Sequence, residues 1–286
     1  MRISLILALI VLILSVSGDM SQKADSEQVK VATTIIPLGE FVREIGGERV
    51  KVTVLVPPGA EPHTFEPSPS QIRQIADANV YVKIGAGFEY WIDNILKINP
   101  SMLIVDSSQG VDLIKGSDEG SIGGVDPHIW VSPRDAMVQV RNICVGLIKV
   151  DPSGKDYYIK NMDTYIRKLE ELDYFLNSTF AKTDKKKFIV LHPAWSYFAR
   201  NYGLEEISIN EEEKEPGPKY VANVIELAKA NGIKTIFVEP QYNPKMADIM
   251  ANEIGGKEVV IDPLGENYIE NMKHIGETIA QSLKTE

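Results

Sequence analysis

The sequence predicts an α/β protein: two parallel-sheet βα lobes joined by one long α-helix. Three observations predict this. Short β-rich runs alternate with helical stretches from residue 29 to about residue 150, the pattern of βαβ units around a parallel sheet. The same rhythm resumes after the basic turn Lys185-Lys186-Lys187. Between the two stretches, residues 151–180 carry Ile159, Met162, Ile166, Leu169, Leu172 and Leu176, spaced by three or four throughout, the period of an amphipathic helix.

The first 18 residues read as an address. Arg2 is their only charged side chain, and an apolar run follows from Leu5 to Val16. That is the layout of a secretory signal, and it is short of the roughly 20 apolar residues of a membrane span. The cleavage site at Ser15-Val16-Ser17 is weak, so an uncleaved anchor stays open beside a signal peptide. No cysteine follows the run, which leaves no lipid anchor. Residues 19–28 are polar and read as a tether, and the folded part is expected outside the cytoplasm.

The N-terminal lobe is expected over 29–150. Strands are read at 29–35, 51–56, 79–85 and 102–106, with helices at 37–47 and 68–78. Gly46-Gly47 supplies a C-terminal stop for the first helix, and Ser68-Pro69 supplies an N-cap and first-turn pair for the second. Asp151-Pro152-Ser153 caps the linking helix, expected over 151–180; a run lasting to about Asn177 would span roughly 40 Å. The C-terminal lobe, 181–286, is read with strands at 188–192, 233–239 and 258–262 and helices at 218–231, 244–254 and 268–284.

Composition narrows the function. The 286 residues carry a formal charge of −10, which argues against a nucleic-acid surface. Apolar residues are 44% and charged residues 24%, ordinary for a globular protein. The single cysteine, Cys144, lies in an apolar helical stretch and reads as a buried, inert thiol. Asn177-Ser178-Thr179 is an N-glycosylation sequon. Glu211-Glu212-Glu213 reads as a solvated loop.

The chain has four histidines, and three share one setting. His63 lies in EPHTFEPSP beyond the strand ending at Val56. His128 lies in VDPHIWVSP, before a helix starting near Pro133. His192 closes the strand FIVLH and precedes Pro193. Asp262 closes the strand EVVID and precedes Pro263. Prolines stiffen these loops, and open α/β sheets bind ligands beyond the carboxyl ends of their strands. Three imidazoles and a carboxylate placed this way can converge between two lobes, although 64 to 70 residues separate successive members and no local metal motif joins them. His274 sits on a helix with no strand end or proline beside it and reads as a surface residue. Glu61, Glu66 and Glu239 are either partners orienting the imidazoles or plain surface carboxylates. Trp130 and Trp195 are expected to pack the lobe interface.

From Val31 to Gly265 the chain resembles the zinc and manganese solute-binding proteins of ABC transporters. The resemblance is carried in order by VATTIIPLGEFVREIGGERVKVTVLVPPGAEPHTFEPSPSQIRQIADANV, DPHIWVSP, FIVLHPAWSYFARNYGL, TIFVEPQYNP and VVIDPLG. It implies metal ligands at His63, His128, His192 and Asp262, the third position being a histidine in zinc binders and often a glutamate in manganese binders. Two features depart from the family: GSDEGSIGGVD (116–126) has no histidine, and the lipoprotein cysteine is lacking. Three imidazoles and one carboxylate suit Zn2+ best, with Mn2+ as the alternative; iron, cobalt or nickel would fit the same cage. The resemblance implies a metal-delivering receptor that partners an ABC transporter permease, and the chain is expected to be a monomer rather than an enzyme. A zinc hydrolase and a metal-dependent adhesin are the rival readings; four protein ligands close the shell that a catalytic zinc keeps open.

Overall fold

The computed structural model describes residues 28–116, 124–210 and 216–284. The expected signal and most of the tether, most of the loop 116–126 and the acidic run at 211–213 lie outside the described residues. Two four-stranded sheets form, and every strand pair is parallel. The first holds β1 (Val29–Thr33), β2 (Val50–Val54), β3 (Val80–Lys83) and β4 (Leu103–Asp106) in the order β2-β1-β3-β4. The second holds β5 (Lys187–Val190), β6 (Glu205–Ser208), β7 (Thr235–Val238) and β8 (Lys257–Val260) in the order β6-β5-β7-β8. Strand order therefore reverses beside the first strand of each lobe, and that reversal opens a crevice at the carboxyl ends.

Alternation along the C-terminal strands explains two cores. Phe188, Val190 and Phe237 point into the large apolar cluster that runs through both lobes. Ile189, Leu191, Ile236 and Val238 point the other way, into a smaller cluster with Val224 and Met250. Strands buried on both faces read as continuous apolar runs, which is why FIVL and TIFV are visible in the sequence. β6 was not: its EEIS sequence has one apolar residue, and as an edge strand it is largely half-buried to exposed.

The helices are α1 (Ile36–Gly46), α2 (Pro69–Gln74), α3 (Ile92–Ile98), α4 (Pro133–Val150), α5 (Lys155–Phe180), α6 (Ser196–Tyr202), α7 (Pro218–Ala230), α8 (Lys245–Glu253) and α9 (Tyr268–Ser282). The short α3 and α6 were not expected from the sequence. The linking helix is α5. Asp151 caps a preceding turn, Pro152–Gly154, and its carboxylate also accepts from Arg49 Nε (2.8 Å) and Tyr158 Oη (2.6 Å). α5 packs on α1 and α4 of one lobe and on α9 of the other. Its buried seam starts on tyrosines rather than the expected aliphatics: Tyr158 and Tyr165 are buried, while Ile159 and Met162 are half-buried at the core's edge. α9 approaches α5 closely because Gly276 has no Cβ, which would otherwise collide with Leu176. Cys144 is buried on α4, and burial pushes its thiol up to about 11, as fits an inert thiol.

Candidate metal centre

The residues following β2, β4 and β5 bring three histidines to one point. After β2 the chain still pairs with β1's extension through Leu55 N to Thr33 O and Val56 N to Thr34 O. It then turns at Pro57-Pro58-Gly59, where Gly59 has φ 78°. Glu61 shapes the next turn: Oε1 accepts from His63 N (2.8 Å) and Oε2 from Thr64 N (2.7 Å). A Ser68–Gln71 capping box closes the loop at the start of α2. His128 opens the single turn Ile129–Val131 that leads into α4. His192 follows β5, and its carbonyl accepts from Ala194 N just before α6.

The three rings lie with centroids 5.0 to 5.1 Å apart. His128 Nε2 is 2.9 Å from His63 Nε2 and 3.2 Å from His192 Nε2. Among the described residues these three form the one set of potential metal-ligating groups whose ligand atoms all lie within 4.8 Å of one another. Asp126 Oδ1 accepts from both His128 N (2.9 Å) and His128 Nδ1 (2.8 Å). That bond places the ring proton on Nδ1 and leaves the Nε2 lone pair facing the other two imidazoles. Tyr242 stacks on His192 at 4.5 Å and 21°, and Phe88 meets His63 edge-on at 5.1 Å.

The environment keeps two of the rings uncharged. His192 is 3% exposed, and burial, then the nearby charges of His128 and His63, push it well below the ordinary histidine value. Burial and then His128 push His63 down to about 4. Neutral imidazole is the form that binds metal. Burial opposes ionisation of Glu61, yet the amide bonds from His63 and Thr64 outweigh it and hold its carboxyl below the usual range. Burial pushes Glu239 up to about 8.

The set whose ligand atoms lie within 4.8 Å of one another does not include Asp262, the fourth ligand expected above. Its Oδ1 is occupied by Gln241 Nε2 and Leu264 N, both at 2.9 Å. Nor do the three expected glutamates make the bonds that orient the rings. Glu61 binds the backbone of its own turn, Glu66 accepts from Tyr90 Oη (3.5 Å) and Glu239 accepts from Trp195 Nε1 (3.0 Å). The ring-orienting carboxylate is Asp126, which the sequence reading passed over although it stands two residues before His128. Trp130 does bridge the lobes, donating from Nε1 to Pro263 O (2.9 Å). His274 is exposed on α9, outside the triad.

Residues 31–282 match the family model described as "ZnuA: Zinc-uptake complex component A periplasmic". The chain is 34% identical over 306 residues to the high-affinity zinc uptake system protein ZnuA of Bacillus subtilis (strain 168), covering 97% of this chain and 96% of that protein. It is 29% identical over 295 residues to the manganese-binding lipoprotein MntA of Halalkalibacterium halodurans, covering 98% and 97%. Its fold superposes on the crystal structure of a zinc-bound ZnuA deletion mutant with a TM-score of 0.87 at 35% identity, covering 91% of this chain and 100% of that one.

Proposed function

The chain belongs to the ZnuA family of zinc-uptake components, and from that premise we propose how it holds its cargo: on the Nε2 atoms of His63, His128 and His192. It is a zinc-binding solute-binding protein of the ABC transporter type. The observation that carries the ligand assignment is the convergence of three Nε2 atoms, with His128 oriented by Asp126 and His63 and His192 kept neutral by burial. Three nitrogens and one remaining position suit a tetrahedral zinc; manganese calls for more oxygen. The chain works as a monomeric carrier outside the cytoplasm and passes zinc to a membrane permease. It acts as a receptor rather than a hydrolase: Glu239 Oε2, a carboxylate oxygen without a partner among the described residues, is buried, where a general base would have to meet water and substrate.

Competition titration of zinc-free protein tests this. His63→Ala, His128→Ala and His192→Ala should each weaken zinc at least tenfold, about 1.4 kcal/mol, while His274→Ala should leave it unchanged. Unchanged affinity in His192→Ala would overturn the assignment.

A further inference from the structure

Ile114 and Asp126 face each other across a short antiparallel pairing. Asp126 N donates to Ile114 O (2.9 Å) and Gly116 N to Gly124 O (3.1 Å), on either side of the Lys115–Val125 bridge. Residues opposite each other at such a position normally exchange two backbone bonds. Here a side chain takes the place of the second. Ile114 N donates to Tyr197 Oη (3.1 Å), and Tyr197 Oη donates to Asp126 O (2.6 Å). The hydroxyl accepts from one segment and donates to the other, as a neutral phenol can, and burial pushes its ionisation up to about 12.

Tyr197 comes from the other lobe. It is the second residue of α6 and lies five residues after His192. Its ring is buried. Arg200, one turn further on, covers that ring at 5.0 Å and donates from a guanidinium nitrogen to Asp112 O (2.7 Å). The inserted hydroxyl thus joins the segment that follows His192 to the residue whose carboxylate accepts from His128 Nδ1.

We propose that Tyr197 is a positioning residue for the metal centre: its hydroxyl, set into the backbone ladder, fixes where Asp126 stands and so aims His128 at the cargo. The proposal rests on the three-histidine reading above. Without the hydroxyl, Ile114 N and Asp126 O lose their partner and are left to satisfy each other. A direct rung is about 2.9 Å long, and closing it draws the Asp126 backbone toward Ile114. The carboxylate travels with it, and the His128 ring loses the bond that sets its tautomer and direction.

Chelator competition on the zinc-free full chain tests this in Tyr197→Phe, Asp126→Ala and the double variant. Tyr197→Phe should weaken zinc about tenfold, the low end of what losing an outer partner of a metal-binding histidine costs. In the Asp126→Ala background the same change should cost less than about twofold, because residues that act through one another are not additive. A merely structural defect would weaken zinc equally in both backgrounds. Long-range proton–nitrogen NMR reads the His128 ring directly: the wild type should show one tautomer, with the proton on Nδ1, and Tyr197→Phe a mixture of two. Unchanged zinc affinity in Tyr197→Phe, an equal loss with and without Asp126, or an unchanged tautomer would overturn the inference. If Tyr197→Phe does not fold, Arg200→Leu decides, since it loosens the ring without unpairing either backbone group. It should weaken zinc by a smaller factor and only where Asp126 is present; unchanged affinity there would overturn the inference as well. If the histidine variants themselves kept zinc, it would be the three-histidine reading that failed.

Discussion

His128 has both ring nitrogens committed, Nδ1 to Asp126 and Nε2 to the other two imidazoles. Losing a partner that orients a metal-binding histidine typically costs about 10–100-fold in affinity. Asp126→Ala should therefore weaken zinc within that range, and Asp126→Asn should weaken it less, because its amide oxygen still accepts from Nδ1; isothermal titration of the two variants decides. The histidines also shape the pH response. Protons compete with metal only where an imidazole would otherwise be charged. With His63 pushed down to about 4 and His192 pushed well below the ordinary histidine value by burial, neither takes up a proton between pH 7.5 and 5.5. The apparent zinc constant should then fall by no more than about one decade per pH unit in that range, not the three expected if all three imidazoles titrated near the ordinary value of about 6.5. For the zinc-free fold the sign runs the same way: these depressed values stabilise it above about pH 6.5, and that stability is lost as the pH falls towards 4. Zinc titrations at pH 7.5, 6.5 and 5.5 give the slope, and a slope near three would show that burial does not shift the rings.

The loop after β7 does more at the site than its position suggests. Glu239 receives the Trp195 indole, Gln241 holds Asp262, and Tyr242 stacks on His192 while its hydroxyl donates to Glu61 Oε1 at 3.0 Å. Glu61 in turn builds the His63 turn, so Tyr242 fastens the two lobes together beside the triad. Tyr242→Phe keeps the stack and removes the bond. It should speed zinc release by up to about 10- to 100-fold, since one hydrogen bond to a charged group contributes about 1.5–3 kcal/mol, and should leave His192's packing intact; stopped-flow transfer of zinc to a chelator measures it. Unchanged release would show that the bond does not restrain the His63 loop. Sequence pattern located β7 through its apolar run and α5 through its spacing. It did not reveal this loop's role, because EPQYNP shows no periodicity and each of its side chains acts across a distance that only folding sets.

At the scale of the whole molecule, the two sheets are not free to swing. α5 is 26 residues long, roughly 40 Å at 1.5 Å per residue, and a single apolar cluster runs through both lobes. Polar ties cross between them as well: Trp130 to Pro263, Tyr197 to Asp126 (2.6 Å), Tyr268 Oη to Trp130 O (2.7 Å) and Tyr268 N to Glu40. Hinge closure needs a few residues that absorb large backbone changes, and a continuous helix packed on both lobes supplies none. Zinc-free and zinc-loaded protein should give nearly equal radii of gyration by small-angle scattering, and a change of several ångströms would show that the lobes part. The sequence by itself determined the α/β class, the rigid link and the candidate histidines, because each rests on local order: apolar runs, a spacing of three or four, and a proline beside each strand end. The tertiary structure decided which candidates meet. His63, His128 and His192 are 64 and 65 residues apart along the chain, so their meeting depends on strand order and lobe packing. Asp262 shares their local signature, and Gln241 and Leu264 bond one of its carboxylate oxygens through contacts that no local pattern encodes.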